Sequence, residues 1–298
     1  MLSAVERKIE QFVADLDDKE VTKLYAKLPY GKRLRAKLIL KIAGNSLPVV
    51  KTAAVVEMIH AASLLHDDVI DDAGTRRSKP SLNALYGNKT AIMLGDILYS
   101  KGFFELNNIS ADVSRIVSNA VTQLSLGELK DVSLSKSFNL DKNIYLEMIY
   151  QKTASLIEAS AGAAAILAGK PKDVYMTYGR NLGLAFQMID DLLDITSDAE
   201  TLGKPALHDF VEGKTTLPYI YLYEVLNEDE KKILASLHAK VLNEDEQKWI
   251  VLKMKEHQII QRSYFEAKEL IDEAIDLMET HGEAALSDIA KEMIERDF

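Results

Sequence analysis

Val49 to Asp72 reads VVKTAAVVEMIHAASLLHDDVIDD, and Lys172 to Asp194 reads KDVYMTYGRNLGLAFQMIDDLLD. Both stretches place apolar residues at spacings of three and four, the pattern of an amphipathic helix. The helices predicted there, Val49 to Asp71 and Lys172 to Ile195, both outrun the average helix of about 11 to 12 residues. Their Ala, Leu, Ile and Met content is that of the inner helices of a bundle. Working outward, the same periodicity predicts helices from about Ala4 to Leu16, Lys32 to Ala43, Lys89 to Asn107, Val113 to Val132 and Lys142 to Ala168, with several more from Thr215 onward. Strand-like alternation is nearly absent, and only 6 Pro and 14 Gly interrupt the chain. The expectation is an all-α protein. No repeat and no Ser/Gly/Pro linker divides residues 1–298, so a single domain is expected.

Each long helix ends in the form DDxxD: Asp67, Asp68 and Asp71 in the first, Asp190, Asp191 and Asp194 in the second. Residues i and i+4 share a helix face, about 5 to 6 Å apart at Cβ. Asp67 with Asp71, and Asp190 with Asp194, are therefore ready oxygen clamps. Hard cations such as Mg2+ bind through one or two carboxylates, with waters and substrate phosphates completing the shell. For one such motif a solvated helix face is the better reading. Two copies, both at the C-terminal end of an apolar helix where the dipole disfavours negative charge, point instead to bound cations. A polyphosphate held by two clamps also needs donors. Arg76 and Arg77 follow the first cluster, Gly31-Lys32-Arg33-Leu34-Arg35 opens an early helix, and Lys204 and Lys214 follow the second cluster. Arg offers phosphate a planar fork and Lys a point charge.

Bulk properties exclude several classes. A formal charge of -10 disfavours a nucleic-acid partner. The absence of cysteine removes disulfides, thiolate metal sites and thiol nucleophiles, and fits a reducing compartment, with the cytoplasm as the default location. The opening MLSAVERKIEQFVADLDDKE has no apolar run of the secretory kind. Ala159 to Gly169 is taken as the longest weakly polar stretch, short of the roughly 20 residues a bilayer requires.

In order, GKRLR at Gly31 to Arg35, IHAASLLHDDVIDDAGTRR at Ile59 to Arg77, GNKTAIMLGD at Gly87 to Asp96, QKTASL at Gln151 to Leu156, FQMIDDLLDI from Phe186 and GKPALHDFVEGKTTLP to Pro218 make up a highly specific set. The chain resembles the trans-polyprenyl diphosphate synthase family. That resemblance implies a single isoprenoid-synthase helical bundle around a deep central cavity, a homodimer, and three Mg2+ per site. It implies that isopentenyl diphosphate is condensed with an allylic diphosphate. Residue by residue, it assigns Asp67, Asp68 and Asp71 and Asp190, Asp191 and Asp194 to the metal clusters. Arg76, Lys152, Gln187, Lys204 and Lys214 are assigned to the allylic diphosphate, and Lys32, Arg35, His60 and Arg77 to isopentenyl diphosphate. Thr153 and Phe186 match positions lining the reacting carbons. Tyr30, Ala36, Ser78 and Leu207 depart from the family's usual residues at positions that shape backbone.

Small residues at Ala62 and Ser63, one turn before Asp67, leave room for a growing tail, with Met58 a candidate floor. On the resemblance this implies a long-chain product, octaprenyl diphosphate for a quinone side chain being the best single guess, handed on to a membrane. A farnesyl or geranylgeranyl synthase is the alternative. A class I terpene cyclase is disfavoured by the second DDxxD and by Lys32, Arg35 and Arg77. An inactive subunit of the same fold would have lost acidic or basic ligands, and a plain helical scaffold has no reason to cluster charge at two helix ends.

Overall fold

The computed structural model describes residues 1–77, 79–196 and 207–294. They are helical, apart from one two-residue hairpin and the connecting turns. The chain packs as two compact units, Met1–Thr122 with Leu156–Met176, and Gln123–Ser155 with Thr177–Phe298.

The first unit is built on α4, Leu47–Ile70. Its start is set by Ser46 in extended conformation and a proline in the first turn, a position that gives up no helix hydrogen bond. It stops where Asp71 leaves helical geometry and Asp72 turns left-handed. Preceding it are α1 (Leu2–Ala14), α2 (Lys19–Tyr25) and α3 (Leu34–Ala43). The hairpin β1 (Thr75–Arg76) and β2 (Lys79–Pro80), α5 (Leu82–Tyr86), α6 (Asn88–Leu106) and the first part of α7 (Ala111–Leu134) follow. α4 packs on α6, α3 and α1. The approach of α6 is close at Gly95, where an added Cβ would stand 2.4 Å from Nε2 of His66. By length and composition α4 could cross a membrane, which corrects the reading of Ala159 to Gly169 as the longest weakly polar stretch. Its most apolar window is 61% buried within the protein, as befits a core helix.

The second unit holds the end of α7, α8 (Lys142–Ile149), a π-helical turn (Tyr150–Ala154) and most of α10 (Lys172–Thr196), while α9 (Ser155–Leu167), after its first residue, belongs to the first unit. Then come α11 (His208–Val211), α12 (Leu217–Val225), α13 (Glu228–Leu237), α14 (Glu244–Glu256), α15 (Ile259–Thr280) and α16 (Ser287–Ile294). α12 packs on α15, α14 and α8. Phe210 stacks on Tyr219 with centroids 4.3 Å apart, and Phe138 meets both Phe210 and Tyr223 edge-on. Asn227 with Glu230 and Asn243 with Glu246 form capping boxes, each worth about 1 kcal/mol to its helix.

Three local features differ from the expected elements. α3 begins at Leu34 because Arg33 sits at a left-handed φ of 53°. α2 is additional, its start fixed by Asp18 accepting from the amides of Glu20 and Val21. The helix expected from Lys142 to Ala168 widens into the π turn at Tyr150–Ala154. Such wide turns occur mostly as single insertions within α-helices and often at functional sites.

Candidate active site

The carboxylates of the first cluster separate by face. Asp67 is half-buried and Asp71 exposed, one turn apart on the same side of α4. Asp68, about 100° round the helix from Asp67, is 3% exposed and accepts from Nε of Arg76 at 2.6 Å. Asn83 closes the helix end, donating Nδ2 to the carbonyls of Asp68 (3.0 Å) and Ala73 (3.1 Å). His66 turns the other way, its Nε2 3.2 Å from the Ile92 carbonyl and 3.4 Å from Asp96.

Four cations surround His60. Arg35, Arg77, Arg76 and Arg33 all act on its imidazole, and burial together with their charge holds it well below the usual histidine range. Arg33 is committed to structure: it pairs with Glu6 at 2.7 Å and Glu57 at 3.4 Å, while Glu57 also accepts the Ala36 amide. Arg35 is different. Its Nε is buried without a hydrogen-bond partner, and burial pulls its pKa below the usual guanidinium value. Arg77, at a left-handed φ of 52°, reaches the Pro29 carbonyl at 3.3 Å and passes so close to Gly31 that a Cβ there would stand 2.6 Å from Nη1. Arg35, His60, Arg76 and Arg77 thus form one cationic group with an unserved buried donor, a charge and a donor that an anion would compensate. Lys32 is exposed and takes no visible part in it.

The sign of the His60 effect follows from linkage. Below pH 6.5 the unfolded chain takes up a proton at this histidine and the folded protein does not, so stability is full above that pH and is lost as pH falls. His60→Gln should flatten the loss between pH 7 and 5 in urea melts, by at most about 1.4 kcal/mol per pH unit. An unchanged pH slope would show that His60 is not held neutral.

In the second unit Asp190 is exposed and Asp194 half-buried on one face of α10. Asp191 points inward, 5% exposed, accepting from the Tyr145 hydroxyl (2.6 Å) and from Nε2 of Gln187 (2.8 Å). Burial, with the charge of Asp209 adding to it, pushes the Asp191 carboxyl up to about 8, against the downward pull of those two hydrogen bonds. Gln187 in turn accepts from the Thr153 hydroxyl at 2.7 Å. Lys152 and Thr153 both lie in the π turn. Lys152 is held by Glu128 at 3.0 Å and Asp131 at 2.5 Å on α7. Gly127 allows that approach, since a Cβ there would meet the Lys152 amide nitrogen at 2.3 Å. Lys214 pairs with Glu212 at 2.8 Å and lies 4.0 Å from Asp209, whose amide donates to Asp194 at 3.1 Å. Phe186 is half-buried on α10. Lys204 lies outside the described residues.

The structure therefore brings together Arg35, His60, Arg76 and Arg77 in one unit, and Gln187, Thr153 and Asp191 in the other. Sequence reasoning missed Asn83, Glu128, Asp131 and Tyr145. Glu128 and Asp131 sit at i, i+3 after a glycine in α7, a weak signal; nothing in the sequence ties Tyr145 to Asp191.

Residues 19–254 match the family model described as polyprenyl synthetase. Solanesyl-diphosphate synthase 1, mitochondrial, of Oryza sativa subsp. japonica is 45% identical over 192 residues, covering 62% of this chain and 45% of that protein. The short chain isoprenyl diphosphate synthase of Methanothermobacter thermautotrophicus is 36% identical over 219 residues, covering 70% of this chain and 67% of that one. The chain thus matches about half the length of the Oryza protein. The crystal structure of octaprenyl pyrophosphate synthase from Helicobacter pylori superposes with a TM-score of 0.94 at 41% identity, over 99% of this chain and 98% of that one.

Proposed function

Because this chain belongs to the polyprenyl synthetase family, we propose that it is a prenyltransferase that condenses isopentenyl diphosphate with an allylic diphosphate to a long-chain all-trans product. The observation that carries the reading is the repeated arrangement at the ends of α4 and α10. In each, two carboxylates share a face one turn apart, and the aspartate between them is turned inward to hold Arg76 or Gln187. A solvated acidic helix end has no reason to repeat that division.

The donor set suits Mg2+: Asp67, Asp71, Asp190 and Asp194 offer only oxygen, on accessible faces. When bound, the cations would supply electrostatic stabilisation to negative charge developing on the diphosphate. The remaining work falls to the chain. In the second unit Lys152, kept in place by Glu128 and Asp131, and Lys214 offer charge to the allylic diphosphate; in the first, Arg76, kept in place by Asp68, offers a diphosphate its planar fork. Arg35 and Arg77, beside neutral His60, take the diphosphate of the second substrate. As the allylic C–O bond breaks, its electron pair goes to the leaving diphosphate, where these donors stabilise it. The double bond of isopentenyl diphosphate supplies the pair for the new C–C bond, and a proton leaves to the released diphosphate. Aliphatic helices keep water from the cation. The family match runs through both units, which supports reading them as one domain. A homodimer and the cytoplasm, with product passed to a membrane, complete the proposal. Diphosphate release from the two substrates, present with Mg2+ and absent with chelator, is the test; no release with either would reject it.

Chain length rests on Ser63. It lies about 40° from Asp67 on the helical wheel, is half-buried, and ties its hydroxyl to the His60 carbonyl at 2.9 Å. Ala62 and Met58 fall about 140° and 180° from Asp67 and have 0% exposure, packed among neighbours rather than beside the clamp. Ser63→Phe should therefore shorten the product, read by chromatography of the dephosphorylated alcohols. Ala62→Phe overpacks a sealed site and should cost about 1 to 3 kcal/mol of stability whatever it does to length. Octaprenyl diphosphate is the favoured product. A wild type that stops at farnesyl or geranylgeranyl, or a Ser63→Phe variant of unchanged product length, would overturn the open-tunnel reading.

A further inference from the structure

We propose that Tyr145 is a positioning residue, whose hydroxyl, by holding Asp191, sets the direction of the hydrogen bonds that run through Gln187 to Thr153. The proposal rests on the prenyl-transfer reading, because it concerns the same site. Tyr145 stands on α8, 1% exposed, and its hydroxyl donates to Oδ2 of Asp191 at 2.6 Å. Oδ1 of the same carboxylate takes Nε2 of Gln187 at 2.8 Å. The Gln187 amide thus presents its nitrogen to Asp191 and its oxygen to Thr153. The Thr153 hydroxyl donates to that oxygen at 2.7 Å. A threonine hydroxyl has one proton. With it committed to Gln187, only lone pairs are left for any other partner of Thr153. Each bond in such a chain polarises the next.

That direction matters to a reaction that passes through an allylic cation. Oxygen lone pairs stabilise positive charge, and a proton turned outward opposes it. Tyr145 touches no substrate in this scheme. Without its hydroxyl, Oδ2 of Asp191 loses its donor, the carboxylate can rotate, and the Gln187 amide has no fixed sense. The deficit then appears in the chemical step and leaves binding alone.

The experiment is steady-state kinetics with both substrates and Mg2+ on Tyr145→Phe, Thr153→Ala and the double variant. Tyr145→Phe should lower kcat roughly tenfold to a hundredfold, with both KM values within about twofold. In the Thr153→Ala background the same change should alter kcat by less than about twofold, since residues acting through one chain are not additive. A purely structural role for Tyr145 would leave the two losses multiplicative, and that result would overturn the proposal. So would a kcat for Tyr145→Phe within twofold of wild type, or a rise in KM at constant kcat. If Tyr145→Phe fails to fold, Asp191→Asn, which keeps the side-chain shape, carries the same cycle with the same outcomes. A wild type that releases no diphosphate would defeat the function itself; an active wild type with an unaffected Tyr145→Phe defeats this inference alone.

Discussion

Asp67→Ala and Asp190→Ala should each lower the saturated rate of diphosphate release by at least about 10² to 10³-fold, the scale on which loss of a single charge-stabilising group is felt in a transition state. Asp67 and Asp71 share a face, as do Asp190 and Asp194, so either change leaves one carboxylate where a cation is to be gripped by two. The Mg2+ concentration for half-maximal rate should rise as well. Asp68 provides the internal contrast. Its carboxylate is buried and spent on Arg76 at 2.6 Å, so Asp68→Ala should act by freeing that guanidinium. The allylic KM should then rise more steeply than the Mg2+ requirement. Initial rates over a Mg2+ series distinguish the two patterns. Near-normal turnover in Asp190→Ala would sink the two-clamp mechanism.

Arg35→Met should raise the isopentenyl diphosphate KM about tenfold to a hundredfold, the equivalent of roughly 1.5 to 3 kcal/mol for a lost charged hydrogen bond. The same variant should melt at a higher temperature than wild type in the absence of substrate. Arg35 holds a buried Nε with no partner, and Arg33, Arg76 and Arg77 crowd the same histidine. Replacing a poorly compensated buried charge by an apolar chain of similar size is often stabilising. Inorganic diphosphate should reverse the order, because only wild type gains its full binding energy by mass action. Thermal melts with and without diphosphate make the comparison. A lower melting temperature for ligand-free Arg35→Met, together with an unchanged KM, would remove Arg35 from the binding site.

The helical class was readable because apolar spacing over Val49–Asp71 and Lys172–Ile195 leaves no other period. The shared faces of Asp67 with Asp71 and of Asp190 with Asp194 were readable because i, i+4 geometry needs no tertiary knowledge. The inward turn of Asp68 and Asp191 was present in the same geometry, about 100° per residue, yet the motif presents three alike aspartates and invites equal roles. What lay beyond reach depends on contacts across the chain. Lys152 meets Glu128 and Asp131 only because Gly127 lets the π turn approach. Tyr145 meets Asp191 across 46 positions.

The apolar length of α4 also bears on how the protein is made. Leu47–Ile70 emerges from the ribosome before α6, which covers it, and at about 5 to 20 residues per second the gap lasts seconds. During that interval the nascent chain carries a segment that a bilayer would accept by length and composition. Fragments ending between Ile70 and Asn88 should therefore sediment or associate with membranes, whereas those extended past Leu106 can begin to cover that face, so that α6 acts as the chaperone of α4 within its own chain.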